Sequence, residues 1–317
     1  MNKINNHDLI IVTPVYEDVE ASSKLFKELS KEFNKGIYIV AIDDGSVKRP
    51  LNISVIEEAG LVGVVIKLKR NVGHQRAISI GLGYIAEHMS ENQKVVVMDS
   101  DGEDTPVSIK ELIAPLENDT VDVAVAERKS RVETIKFKAF YVIYKFIFGL
   151  LSGKKISFGN FMALKQSAVK RVASMQELSI HIAGTILSSK LRVELVSLDR
   201  GARYAGQSKM NFVGLVLHGF KGLMIFAEDV LVRVGIASAI VAGFAVLASI
   251  IAIVLKVVGF ATPGWFSMAL GILFLVFLQT GTMTLMMLML TGIIKNKGII
   301  EPHNYEIFID EVIHVKT

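Results

Sequence analysis

From Val234 to Ile294 the chain carries a single charged residue, Lys256. Val234 to Leu255 is a run of 22 uncharged residues, which at ~1.5 Å rise per residue covers about the ~30 Å hydrocarbon layer of a bilayer. Trp265 to Ile294 adds 30 more, long enough to cross with tilt or with its last turn in the interface. The intervening Lys256–Gly264, with Pro263 and Gly264, reads as a turn that leaves Trp265 near the headgroups. A buried hairpin in a soluble core is disfavoured, because soluble helices rarely run so far without charge. Two crossings return the chain to its starting side. Arg233 before the pair and Lys295 and Lys297 after it, against Lys256 alone between, place both ends in the cytoplasm by the positive-inside bias.

The remainder of the 317 residues reads differently. With no cysteine, disulfides, thiolate catalysis and Cys-ligated zinc are excluded. A net charge of +4 does not argue for nucleic acid as a partner. Residues 1–9 are polar and lack the apolar core of a secretory signal, so the amino-terminal domain is expected in the cytoplasm. Short β-rich runs, Leu9–Val12, Ile37–Ile42, Val62–Leu68, Val95–Met98 and Val121–Ala126, alternate with helical spacing at Phe26, Leu29 and Phe33 and at Ile78, Leu82 and Ile85. This order predicts an α/β fold with a mostly parallel, Rossmann-like sheet whose ligand lies beyond the strands' carboxyl ends.

Acidic residues gather at those ends. The second strand runs into Asp43-Asp44-Gly45-Ser46, and the fourth into Asp99-Ser100-Asp101-Gly102-Glu103-Asp104. Residues two apart in an extended segment point to one side, so Asp99 and Asp101 can offer oxygens to one hard cation, Mg²⁺ or Mn²⁺, completed by water and substrate phosphates. The competing reading is an acidic solvated turn ahead of a helix that Thr105 caps and Pro106 begins.

Together, Thr13-Pro14-Val15-Tyr16, Ile42-Asp43-Asp44-Gly45-Ser46, Asn71-Val72-Gly73, Met98-Asp99-Ser100-Asp101, Arg128, Arg131 and Arg203-Tyr204-Ala205-Gly206-Gln207-Ser208-Lys209 make the chain resemble family 2 glycosyltransferases. The closest branch in pattern is that of dolichol-phosphate mannose synthase and bacterial polyprenyl-phosphate glycosyltransferases. The resemblance implies a GT-A type domain over residues 1–210, a juxtamembrane helix at 211–233, two membrane helices within 234–294 and a cytoplasmic tail at 295–317. It implies a nucleotide diphosphate sugar held by Pro14, Tyr16, Asp18, Ile42, Asp44, Ser100, Asp101 and Glu103, and a metal on Asp99 and Asp101. Asp99, Asp101, Arg128 and Arg203 would serve catalysis, and Arg128, Arg131, Arg203 and Lys209 would meet the acceptor phosphate. For Arg131 and Lys209 a basic rim facing anionic lipid is an equal reading.

The implied reaction is inverting transfer to a polyprenyl phosphate at the cytoplasmic membrane, for cell-surface glycan modification. A homo-oligomer stays open. Three departures stand out: Glu17-Asp18 where relatives often read Asn-Glu, Gly102-Glu103 where they read Leu-Gln, and no carboxylate in Ser157-Phe158-Gly159-Asn160-Phe161 where bacterial relatives often carry Asp. His74 reads as a phosphate contact or a capping residue, and His181 as lining the acceptor cleft or as an ordinary buried histidine. Residues 134–151 mix lysines with aromatics as an interfacial helix would. Alternatives are a family member acting on a lipid hydroxyl and a non-catalytic membrane scaffold. A processive synthase is disfavoured, since Gln-X-X-Arg-Trp is absent and Trp265 is the sole tryptophan. Removing Val234 to the end is expected to leave a nucleotide-binding sheet domain that transfers poorly to long-chain acceptor.

Overall fold

The computed structural model describes residues 3–34, 36–128, 135–154, 158–204, 212–260, 264–296 and 305–315. In chain order the elements are β1 (Leu9–Val15), α1 (Val19–Phe33), β2 (Ile37–Asp43), α2 (Ser54–Glu58), β3 (Val62–Leu68), α3 (His74–His88), β4 (Lys94–Val97), α4 (Ile109–Ile113), β5 (Val123–Arg128), α5 (Ile135–Ser152), β6 (Phe158–Lys165), α6 (Gln166–Ala173), α7 (Ile182–Ser188), β7 (Val193–Leu198), α8 (Phe212–Ile225), α9 (Ala227–Val257), α10 (Trp265–Asn296) and β8 (Ile309–His314).

One unit comprises Met1–Val142, Ile156–Ile225 and Glu301–Thr317, built on a sheet of order β7-β5-β6-β4-β1-β2-β3-β8. β1 pairs in parallel with β2 and β4, and β2 with β3. Every residue of β1 and β2 is buried, as expected of parallel strands covered on both faces. Alternate strand residues feed two cores: Val12, Val40 and Ile42 meet Ile78, Leu82 and Ile85 of α3, while Ile11, Ile39 and Ala41 meet Leu25, Phe26 and Leu29 of α1. Asn34 in the left-handed conformation ends α1. The mixed, mostly parallel α/β sheet and the apolar hairpin that follows it agree with the expected fold.

Three features depart from the expected order. The expected fifth strand is β5, but it does not extend the parallel run; β6 enters antiparallel between β4 and β5. The expected tail at 295–317 contains β8, which pairs antiparallel with the far edge of β3. Just before β8, Tyr305 is buried against α3, where a Cβ on Gly83 would come within 2.8 Å of its ring, and its hydroxyl donates to Glu87. The expected juxtamembrane helix is two elements: α8 stops at Ile225 and α9 starts at Ala227.

The other unit comprises Ile143–Lys155 and Phe226–Ile300. Here α9 and α10 pack along each other, with Gly235, Ser238, Ala242, Ala245 and Ala252 buried on α9, the small-residue surface that lets apolar helices approach closely. Both helices are long and apolar enough to cross a membrane, and most of their large side chains face outward. The Arg233 guanidinium donates to Leu150 O at 3.3 Å, and Phe148 meets Phe226 edge-on with centroids 6.0 Å apart. On α5, Val142, Phe146 and Leu150 form an exposed apolar row at i, i+4, i+8.

Candidate active site

The carboxyl ends of β1, β2 and β4 lie side by side, and short polar ties fix the loops leaving them. Asp44 N–H donates to Val15 O at 2.8 Å, and Ser100 Oγ donates to Pro14 O at 3.2 Å. Tyr16, 45% exposed, leaves β1 at this edge. Beside it Glu17, held at φ 51°, accepts the N–H groups of Val47, Lys48 and Arg49 at 2.7–2.9 Å. Three consecutive N–H groups form an anion nest. They hold this carboxyl below its ordinary pKa, the Lys48 N–H most of all. Asp18 caps α1, accepting the Ala21 N–H at 3.4 Å.

The two aspartates after β2 tie loops. Asp43 accepts the Ser46 and Leu51 N–H groups at 3.0 and 2.9 Å, and Asp44 those of Val72 and Gly73 at 2.7 and 3.0 Å. Burial lifts the Asp44 carboxyl above its usual value despite those two donors. Expected as a donor contact, Asp44 thus spends an oxygen on each of two backbone amides and shapes the 70–73 loop. Ile42, also expected as a donor contact, has its side chain fully buried beneath α3, where a Cβ on Gly81 would lie 2.6 Å from its Cδ1. Gly45 fits the same junction at φ 67°, where a Cβ would lie 2.4 Å from Arg70 C and 2.5 Å from Asn71 N. Gly45→Ala is therefore expected to cost about 2–3 kcal/mol of stability, from left-handed strain and the clash together, read as a lower midpoint of thermal unfolding.

After β4 the chain closes a turn, with the Asp99 N–H donating to Asp104 Oδ2 at 2.9 Å and the Glu103 N–H to Asp101 Oδ1 at 3.0 Å. Burial and the Asp99 carboxylate raise the Asp101 carboxyl, against the pull of Arg203, Arg200 and His74. Arg203 Nη2 lies 2.9 Å from Asp101 Oδ2 and 3.2 Å from Glu103 Oε1, and Arg200 pairs with the other Glu103 oxygen. Glu103, expected among the residues holding the nucleotide sugar, is bound by two arginines. Asp99, Asp101, Glu103 and Asp104 bring four carboxyl groups to this turn, with Arg203 on Asp101 and Glu103, Arg200 on Glu103, and His74 on Asp99. Among the described residues no group of three or more acidic or imidazole side chains has metal-binding geometry. Asp99 and Asp101 are the two carboxylates that could hold a hard cation such as Mg²⁺ or Mn²⁺ beside phosphates.

Thr105 stands at the N-cap and Pro106 at the first position of a short 3₁₀ turn, Pro106–Ser108, that runs into α4, and the Thr105 hydroxyl meets that of Ser108 at 2.6 Å. His74 begins α3, and its Nε2 is 3.2 Å from Asp99 Oδ1 and 2.9 Å from Asn160 Nδ2. Burial opposes its charge, but Asp99, Asp104 and Asp101 outweigh burial and raise its pKa. Asn160, in the segment read as lacking a carboxylate, also accepts from Gln75 Nε2 at 3.0 Å, while Gln75 Oε1 accepts the Ile182 N–H at 2.8 Å. The departure thus sits beside His74 in a satisfied amide network. His181 is a buried cap: its Nδ1 accepts the Gly184 N–H at 3.0 Å, its ring lies 4.5 Å from His218, and burial, then His218, pushes its pKa down to about 3. Arg128 ends β5; Arg131 and Lys209 lie outside the described residues.

Asp43, Glu17, Gln75 and Arg200 were not expected at the site. Arg200, three residues before Arg203, carried a readable signal; Gln75 carried none.

A sequence model of the family described as Glycosyl transferase family 2 matches residues 10–170. Over 281 residues the chain is 26% identical to a prophage bactoprenol glucosyl transferase homolog of Escherichia coli (strain K12), covering 84% of this chain and 87% of that protein. It is 24% identical over 271 residues to an undecaprenyl-phosphate 4-deoxy-4-formamido-L-arabinose transferase of Shewanella sediminis, covering 81% and 78%. Among solved structures, glucosyl-3-phosphoglycerate synthase from Mycobacterium tuberculosis, in complex with Mn²⁺, UDP-glucose and phosphoglyceric acid, aligns over 72% of this chain and 79% of its own with 13% identity and a TM-score of 0.48.

Proposed function

Since the chain belongs to glycosyl transferase family 2 and is a glycosyltransferase, we propose that it moves a sugar, with inversion and with a divalent cation, from a nucleotide diphosphate sugar to a polyprenyl phosphate at the cytoplasmic face of the membrane. The observation that carries this reading is the Asp99-Ser100-Asp101 turn, set at the carboxyl ends of β1, β2 and β4 with Arg203 on Asp101. The two relatives named for bactoprenol and undecaprenyl phosphate, each aligned over more than four-fifths of this chain, support the acceptor class.

Each part has a task in this scheme. Tyr16 offers a half-exposed ring to the base, while Asp43, Asp44 and Glu17 keep the surrounding loops in place. Asp99 and Asp101 hold Mg²⁺ or Mn²⁺, which when bound offsets the negative charge growing on the departing diphosphate. Arg203 meets phosphate, and Arg128, Arg131 and Lys209 add positive charge toward the acceptor. A phosphate monoester with a second pKa near ~6 is already a dianionic nucleophile at neutral pH. An amide at Asn160 is therefore tolerable where a hydroxyl acceptor would demand a base.

The hairpin leaves the sheet unit after α8 and returns to it before β8. Two crossings would return the chain to its starting side, and Arg233, Lys295 and Lys297 support a cytoplasmic placement of the sheet domain. The exposed rows on α5 and on α8, where Leu217, Phe220 and Met224 stand out, suit the bilayer interface.

The test supplies the detergent-solubilised full chain with a panel of radiolabelled nucleotide sugars, with and without polyprenyl phosphate. Label is expected in the lipid extract for one donor and only when polyprenyl phosphate is present. Label appearing equally in lipids that bear only hydroxyl groups would overturn the acceptor assignment.

A further inference from the structure

The segment Arg200–Tyr204 lies across the Asp99–Asp104 turn as a strap. The Gly201 N–H donates to Glu103 O at 2.9 Å and the Tyr204 N–H to Asp101 O at 2.8 Å. Only glycine admits so close a crossing: a Cβ on Gly201 would come within 2.5 Å of Gly102 O and of Thr105 Cγ2, and one on Gly102, at φ 90°, within 2.7 Å of the Tyr204 ring. The Tyr204 hydroxyl donates to Glu28 at 2.5 Å, and Lys24 Nζ sits 4.4 Å above its ring. The strap is thereby fastened to α1 as well.

Beneath it the arginines divide their partners unequally. Arg203 reaches both Asp101 and Glu103, with its Nε 3.3 Å from Glu103 Oε1, whereas Arg200 pairs with Glu103 through the second oxygen. A cation arriving at Asp101 must compete with Arg203 for the same carboxylate. Without a second anchor, a guanidinium displaced from Asp101 is free to turn into solvent. Glu103, with its side chain 15% exposed, supplies that anchor, and Arg200 cancels the charge by which Glu103 would otherwise repel a diphosphate.

We propose that Glu103 is a positioning residue for donor binding: it retains Arg203 beside Asp101, so that the guanidinium passes to the donor diphosphate as a cation takes its place on Asp101. The assignment rests on the glycosyl-transfer reading above. It also couples the ligands, because diphosphate that accepts Arg203 frees Asp101 for the cation, and each must then tighten the other by the same factor.

The experiment is calorimetry on the full-length chain in detergent, titrating UDP and GDP with and without Mn²⁺, alongside donor kinetics and a thermal melt. Glu103→Gln is expected to keep the wild-type melting midpoint, weaken Mn²⁺-dependent nucleotide binding about tenfold and raise the donor KM to match, with kcat little changed. The factor by which Mn²⁺ tightens nucleotide binding should shrink with it. Glu103→Asp, which keeps the charge on a shorter stem, is expected to fall between the two, and it decides the matter if Glu103→Gln melts early. Wild-type affinity and wild-type coupling in the folded variants would overturn the assignment while leaving glycosyl transfer standing. A wild-type chain that binds neither nucleotide with Mn²⁺ would overturn both.

Discussion

Asp101→Asn in the full-length chain is expected to cut sugar transfer about 10³-fold, since a Lewis acid at a leaving diphosphate is worth several kcal/mol and ~4 kcal/mol corresponds to that factor. The substitution leaves most of the local frame in place. Asn can still accept the Glu103 N–H through its amide oxygen, and the Tyr204 N–H bonds to the backbone carbonyl, which is untouched. What disappears is the charge facing Arg203 and the hard anionic oxygen for the cation. The measurement is initial rate of labelled lipid formation, with the melting midpoint as a check on folding. A loss below tenfold would mean that Asp101 does not hold the ion.

Truncation after Asn296 is expected to destabilise the sheet unit by ~3 kcal/mol or more, the scale of deleting one large buried aromatic side chain. It removes the Tyr305 ring from the Gly83 surface of α3, the hydroxyl bond to Glu87, and all of β8. The edge of β3 is then left with unpaired N–H and C=O groups, a template for aggregation. Removing everything from Val234 onward has the same defect, so the nucleotide-binding fragment expected from the sequence loses a strand of its own sheet along with the hairpin. Thermal unfolding and size-exclusion profiles of the truncated chain check this; an unchanged midpoint with a monodisperse profile would show β8 to be dispensable.

The parts of the fold that follow from local pattern were readable. Strands β1 to β4 are continuous apolar runs, α1 and α3 show helical spacing, and a stretch with one charge in 61 residues leaves little choice but the hairpin. β6 and β8 were not, because pairing order depends on partners distant in sequence: β8, Ile-Asp-Glu-Val-Ile-His, carries two acidic residues and resembles a polar tail until β3 offers it an edge. At the site, Asp99 and Asp101 were legible from residue type and strand ends, and Arg203 from the family resemblance. The division of labour among the acids was not. Asp44 resembles a ligand contact in sequence, yet both of its oxygens accept backbone N–H groups whose positions only the folded loops determine. For Ile42, strand alternation aims the side chain into the core beneath α3.

The most direct test strips the wild-type chain of divalent ions with EDTA, then adds back Mn²⁺ or Mg²⁺ while sugar transfer to polyprenyl phosphate is followed. Transfer should vanish on chelation, return on titration with either ion in the wild type, and fail to return in Asp101→Asn. Undiminished transfer by the chelated wild-type chain would contradict the account.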